Sequence, residues 1–178
     1  MKVLAIPGSL RATSSNAALL RAAARVVPAG TELTLYDGLG GLPHFTPDLD
    51  VEPLPPPVAA LRTQVGAVDA IAICSPEYAH GMPGSLKNAL DWLVSALEPI
   101  GMPVLLISAS PGGAVHAHGQ LLEVLRTMSM QVVDGGAHVF SRAKIGVTGE
   151  ITAPDLVAAL TRGFAQLAEA CAARTPAA

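Results

Sequence analysis

The chain has 178 residues, 51% of them apolar and six aromatic, with a formal net charge of −3. That length suits one domain with a full hydrophobic core, residues 1–178, and the charge argues against the clustered basic face of a nucleic-acid surface. The apolar runs are shorter than a membrane span, no signal-peptide pattern opens the chain, and Cys74 and Cys171 show no metal or redox spacing, so a reduced cytoplasmic domain is expected.

Val3 to Ile6 reads as a buried strand. A small polar loop follows, Pro7-Gly8-Ser9-Leu10-Arg11-Ala12-Thr13-Ser14-Ser15-Asn16, and passes straight into a helix carrying Leu20, Ala23, Ala24 and Val27 at helical spacing. Pro28-Ala29-Gly30 stops that helix. Thr31 to Tyr36 alternates polar and apolar residues, which predicts a strand nearer a sheet edge. Asp37 to Pro57 is rich in Gly, Pro and Asp, includes the stiff Pro53–Pro57 run, and predicts a roof without regular structure. A short helix is predicted from about Val58 to Val65.

Val68 to Cys74 and Met102 to Ser108 are near-continuous apolar runs of strand length, suited to central parallel strands covered on both faces. Ser75 to Gly84 forms the loop after the first of them, and Ala109 to Gly113 the loop after the second. Between them Leu86, Ala89, Leu90, Leu93 and Leu97 form one helical stripe, and a further helix runs from about Val115 to Met128. Gln131–Val133 and Ala137–Phe140 predict a last, broken strand. Thr152-Ala153-Pro154-Asp155 opens a helix whose inner face is Leu156, Ala159, Leu160, Phe164, Leu167 and Cys171, with Gly163 inside it at a cost of up to about 1 kcal/mol.

Strands alternating with helices predict a three-layer α/β fold, a five-stranded parallel sheet in the order 2-1-3-4-5 with helices on both faces. In that order the chain direction across the sheet reverses between the first and third strands. The loops that follow them therefore meet at one crevice.

The first loop is a candidate anion site. The N–H groups opening a helix lack intrahelical partners and the macrodipole favours negative charge there. Arg11 adds a forked cation, and Ser9, Ser14 and Asn16 add neutral donors. Ordinary N-capping by the Ser-Ser-Asn run is the plainer reading of the same residues. There is no Gly-x-Gly-x-x-Gly and no Gly-Lys-Ser/Thr after the first strand, so neither a dinucleotide half-site nor a nucleoside triphosphatase is indicated. A single terminal phosphate suits the loop, and flavin mononucleotide carries one. Pro and Gly in the other two loops would let the backbone approach its flat ring.

Gly8-Ser9-Leu10-Arg11 with Ser14-x-Asn16, then Pro76-Glu77-Tyr78 with Pro83-Gly84-x-Leu86-Lys87-Asn88-Ala89-x-Asp91-Trp92, resembles the two signatures of the NADPH-dependent FMN reductase family. The resemblance covers nearly the whole chain, and implies a flavodoxin-like fold and an enzyme whose cofactors are FMN and NADPH or NADH. It places the FMN phosphate on Ser9, Arg11, Ser14, Ser15 and Asn16. It sets the isoalloxazine against Pro76, Glu77, Tyr78 and Ala79, with Ser110 and Gly113 on the far side. Ala79 stands where family members typically have Asn. The implied chemistry is hydride transfer from a nicotinamide to flavin N5 and on to a small acceptor in the same slot, in ping-pong order and without a catalytic acid or base from the protein. Quinone, chromate, azo compound and free flavin are acceptors the family includes.

Two other readings compete: a flavodoxin-type electron carrier, for which −3 is a weak acidic face, and a domain of this fold that has lost its flavin. Cys74 reads as a buried strand cysteine. His116 and His118 lack a third ligand at suitable spacing, so no metal is expected, and a solvated or subunit-contact role is assigned to them. Lys87 and Asp91 predict an exposed i,i+4 pair. Family members are commonly dimers or tetramers, and Trp92, lying off the leucine stripe, is expected at an interface. No nucleic acid or membrane partner is indicated.

Overall fold

A computed structural model describes residues 1–107, 114–133 and 150–174. Five strands, β1 (Lys2–Pro7), β2 (Glu32–Leu35), β3 (Ala70–Cys74), β4 (Pro103–Ile107) and β5 (Gln131–Val133), form one parallel sheet in the order β2-β1-β3-β4-β5. The helices are α1 (Ser15–Ala23), α2 (Pro56–Gly66), α3 (Gly84–Asp91), α4 (Val115–Thr127) and α5 (Pro154–Ala173). The flavodoxin-like architecture is therefore the one the strand pattern predicts. The segment Ala137–Phe140, read as the rest of the last strand, lies outside the described residues.

Successive residues of a strand face opposite sides of a sheet, and here both sides are covered. Leu4 and Ile6 of β1, Ile71 and Ile73 of β3, and Val104 and Leu106 of β4 pack with Leu61, Leu86, Leu90 and Leu121 from α2, α3 and α4. Val3, Ala5, Ala70, Ala72 and Leu105 pack on the other face with Leu19 and Leu20 of α1 and Leu160, Phe164 and Leu167 of α5. The continuous apolar runs of β3 and β4 follow from this double burial. Edge strand β2 keeps its alternation because one of its faces is partly open. Gly163 has a packing reason: a Cβ there would lie 3.1 Å from Leu105 Cδ1, so its absence lets α5 sit close on β4.

Two expectations are corrected on and after α3. Trp92 is fully buried within the chain, not at a subunit interface. Its Nε1–H donates to Pro43 O at 2.8 Å and its ring meets Phe45 edge-on, with centroids 5.1 Å apart. The segment before α2, irregular apart from two short 3-10 turns at Gly38–Gly41 and Pro47–Leu49, folds over this tryptophan. The leucine stripe also ends early, for α3 stops at Asp91 and Leu97 is 79% exposed. The cause is local. Arg62 donates to Trp92 O from Nε at 3.0 Å and Nη2 at 2.7 Å, taking the carbonyl that a continuing helix would use. Arg62 also pairs with Asp50 at 2.7 Å, and Ser95 donates to the same Asp50 at 2.6 Å.

Candidate functional site

The loop leaving β1 packs directly on the loop leaving β3. Gly8 N–H donates to Cys74 O at 2.8 Å, carrying the β1–β3 ladder one residue further. A Cβ at Gly8 would lie 3.0 Å from Leu86 Cδ2 and 3.3 Å from the Ser75 Cα, so only glycine lets the two backbones come this near without a shift. Just beyond, the Ser9 and Tyr78 hydroxyls stand 3.3 Å apart. The crevice expected from the strand order is thus where the serine of the β1 loop and the tyrosine of the β3 loop touch.

Ser14 caps α1 from an extended conformation, its Oγ accepting from Ala17 N–H at 3.3 Å. Ser15 is the first helical residue, half-buried, and Asn16 the second. Ser9, Ser14 and Asn16 are all buried. Asn16 accepts at Oδ1 from the Cys74 thiol, 3.0 Å away, which turns its Nδ2 to other partners. Among the described residues neither that Nδ2 nor the Ser14 hydroxyl hydrogen meets an acceptor. A buried donor left unpaired costs about 1–3 kcal/mol, so an acceptor placed at this helix end would meet two open donors. Arg11, exposed in the same loop, likewise has no acceptor for its guanidinium among the described residues. Buried neutral donors, a helix N-terminus and one free cation make a donor set that fits a phosphate.

A cleft of about 610 Å³ borders this loop on its β2 side, with Arg11, Arg21, Tyr36 and Asp37 among its lining residues. Burial and the neighbouring Asp37 carboxylate push the Tyr36 phenol up from its ordinary pKa.

The loop after β3 closes on itself. Tyr78 N–H donates to Gly81 O and Gly81 N–H to Tyr78 O, both at 2.9 Å, forming a two-residue hairpin. Its central residues, Ala79 and His80, have φ of 49° and 59°, the left-handed pair of a type I′ turn, where Asn-Gly is the favoured sequence. Asn tolerates that backbone and Ala does not, at a cost of about 1–2 kcal/mol. The alanine at position 79 therefore matters first as backbone strain. The Glu77 carboxylate turns to α4, its Oε2 accepting from His116 N–H at 2.8 Å and Ala117 N–H at 3.0 Å at the start of that helix. Those two bonds, followed by the nearby imidazoles, hold the carboxyl below its usual pKa. Gln120 of α4 accepts from Met82 N–H at 3.0 Å, a second tie to the same helix.

Ser9, Arg11, Ser14, Ser15 and Asn16 are thus brought together, with Pro76, Glu77, Tyr78 and Ala79 on the adjoining loop. Ser110 and Gly113 lie outside the described residues. Cys74 is buried in its strand as expected, and Lys87 pairs with Asp91 at 2.5 Å on the surface of α3. Sequence spacing missed the neighbours of His116. They are His80, whose ring stacks on it at 4.2 Å, and Glu77, not His118. Thirty-six residues separate the two histidines, so no motif could have paired them.

A flavodoxin-like sheet with a phosphate-type loop at its switch point defines a mononucleotide-binding α/β protein. Residues 1–144 match the family of NADPH-dependent FMN reductases, and the chain belongs to that family. It is 39% identical to an NAD(P)H-dependent FMN reductase of Pseudomonas aeruginosa over 129 residues, 70% of this chain and 69% of that one. It is 33% identical to the quinone reductase of Escherichia coli K12 over 140 residues, 75% of this chain and 74% of that one. The solved structure of FerB, a flavoenzyme NAD(P)H:(acceptor) oxidoreductase from Paracoccus denitrificans, superposes with a TM-score of 0.83 at 25% identity, covering 94% of this chain and 97% of that one. The protein is accordingly an oxidoreductase with FMN and NAD(P)H as its cofactors. Among the described residues no helix is long and apolar enough to cross a membrane.

Proposed function

We propose that this chain oxidises NAD(P)H on bound FMN and passes the electrons, in a ping-pong sequence, to a quinone, free flavin or similar small acceptor entering the same slot. One observation carries the reading. Among the described residues the buried Asn16 amide and Ser14 hydroxyl lack an acceptor at the start of α1, in the same loop as Arg11 and as Ser9, whose hydroxyl stands beside that of Tyr78. Ser9, Arg11, Ser14, Ser15 and Asn16 would hold the phosphate. Pro76, Glu77, Tyr78 and Ala79 would present backbone to the ring, because the Glu77 carboxylate is already engaged by α4, and Ser110 and Gly113 would close the far side. When bound, FMN supplies the hydride chemistry. The protein binds, orients and shields.

Sharing one slot between donor and acceptor requires parallel double-reciprocal lines when NADPH and a quinone are varied together. Anaerobic stopped-flow mixing with NADPH should bleach the flavin absorbance within the turnover time. Intersecting lines would remove the ping-pong order, and slow bleaching would turn the reading toward an electron carrier.

The same reading includes a homodimer or homotetramer. Val94, Leu97 and Ile100, beyond the end of α3, leave an apolar surface 52–79% exposed that a second copy could cover. Light scattering reads the assembled mass, which Leu97→Glu should lower.

A further inference from the structure

We propose that Glu77, His80 and His116 form a binding site for a divalent transition-metal ion of the zinc type, joining the tip of the β3–α3 hairpin to the first turn of α4. Each residue offers one ligand atom, and the three atoms lie within 4.8 Å of one another. The His80 and His116 rings stack with centroids 4.2 Å apart and planes 20° apart. Both rings are exposed and Glu77 is half-buried, so an ion reaches them from solvent.

The donor set selects the class of ion. Two imidazole nitrogens and a carboxylate oxygen suit zinc and its first-row neighbours, whereas calcium and magnesium call for oxygen ligands. Zinc sits about 2.0–2.1 Å from each ligand in a tetrahedral set, so ligand atoms on one ion lie about 3.3–3.4 Å apart. The widest pair in the cluster must close by up to about 1.4 Å, and the stacked rings must turn so that both nitrogens face the ion, movements open to exposed side chains.

The backbone segments that carry the ligands are also held in advance. Glu77 Oε2 accepts from the backbone N–H of His116, so one ligand holds the segment that carries another. A carboxylate has about four lone-pair sites, and the two N–H bonds leave room for a metal. His80 occupies a left-handed backbone position, φ 59°, in a hairpin whose ends are closed by two 2.9 Å hydrogen bonds. An ion bound here would brace that hairpin against α4. None of this depends on the flavin.

The test is calorimetric titration of zinc chloride into the full chain, free of any histidine tag, with and without FMN. A one-to-one isotherm is expected in both cases, with the flavin content read separately from the visible spectrum. His80→Asn keeps a residue that tolerates the left-handed turn and His116→Gln keeps a helix former; each should weaken zinc at least about tenfold. His44→Ala, at an exposed histidine elsewhere, should leave the isotherm unchanged. Circular-dichroism melts confirm that the variants fold, and zinc should raise the melting temperature of the parent chain but not that of the double variant. No one-to-one binding in the parent chain, or a one-to-one site surviving in His80→Asn/His116→Gln, would overturn the proposal.

Discussion

The two loops that meet at the head of the sheet are built on opposite plans. The β1–α1 loop leaves donors open: Asn16 Nδ2, the Ser14 hydroxyl and Arg11 face no acceptor among the described residues. The β3–α3 loop satisfies its own polar groups, through the Tyr78–Gly81 pair and the Glu77 bonds to α4, and carries its strain in two left-handed residues. A site for a charged group needs unpaired donors held still. A site for a flat ring needs a wall that does not collapse into it. Substitutions in the first loop should therefore be felt in ligand binding, and those in the second in folding.

The largest effect belongs where the plans join. Gly8→Ala places a methyl 3.0 Å from Leu86 and 3.3 Å from the Ser75 backbone, so it should cost about 1–3 kcal/mol in denaturant unfolding and weaken FMN as well. Retained stability with normal binding would show the two loops to be independent. Arg11→Ala comes next. Hydrogen bonds to a charged group contribute about 1.5–3 kcal/mol, so FMN affinity should fall at least about tenfold while the melting temperature holds. A variant that purifies fully yellow breaks the comparison at its first half.

Ala79→Asn should do the reverse, adding about 1 kcal/mol of stability by relieving the turn and leaving the FMN dissociation constant within a factor of a few. The smallest effect is a pH dependence. The Glu77 carboxyl is held below its ordinary pKa by the α4 N–H groups. Its contribution is therefore full above the unfolded value of about 4.3 and is lost as pH falls through the lower folded value. The stability gap between the parent chain and Glu77→Gln should be steady near neutrality and shrink in acid. A gap that widened in acid would mean that the carboxylate is not the helix cap.

Much of the fold was legible because burial writes itself into strands. The unbroken apolar runs of β3 and β4 and the alternation of β2 each announced how many faces were covered. That the loops after β1 and β3 meet followed from strand order alone, and Ser9 and Tyr78 are where they touch. What escaped depended on contacts between distant segments. Trp92 was misassigned because nothing in a Gly- and Pro-rich stretch says that Pro43 and Phe45 will cover it. The end of α3 was set by an arginine thirty residues earlier. The partners of the Glu77 carboxylate on α4 lie 39 and 40 residues along the chain and are visible only in three dimensions.

The thiol under the β1–α1 loop has a chemical consequence. Cys74 is sealed from solvent, with its Sγ–H on Asn16, while Cys171 is only partly covered. Many quinones alkylate sulfur as readily as they accept electrons. Cys171, near the far end of the last helix, is the thiol they could reach, but burial and the Asp69 carboxylate push its pKa up and slow that attack, so alkylation would come late and away from the loop that opens α1.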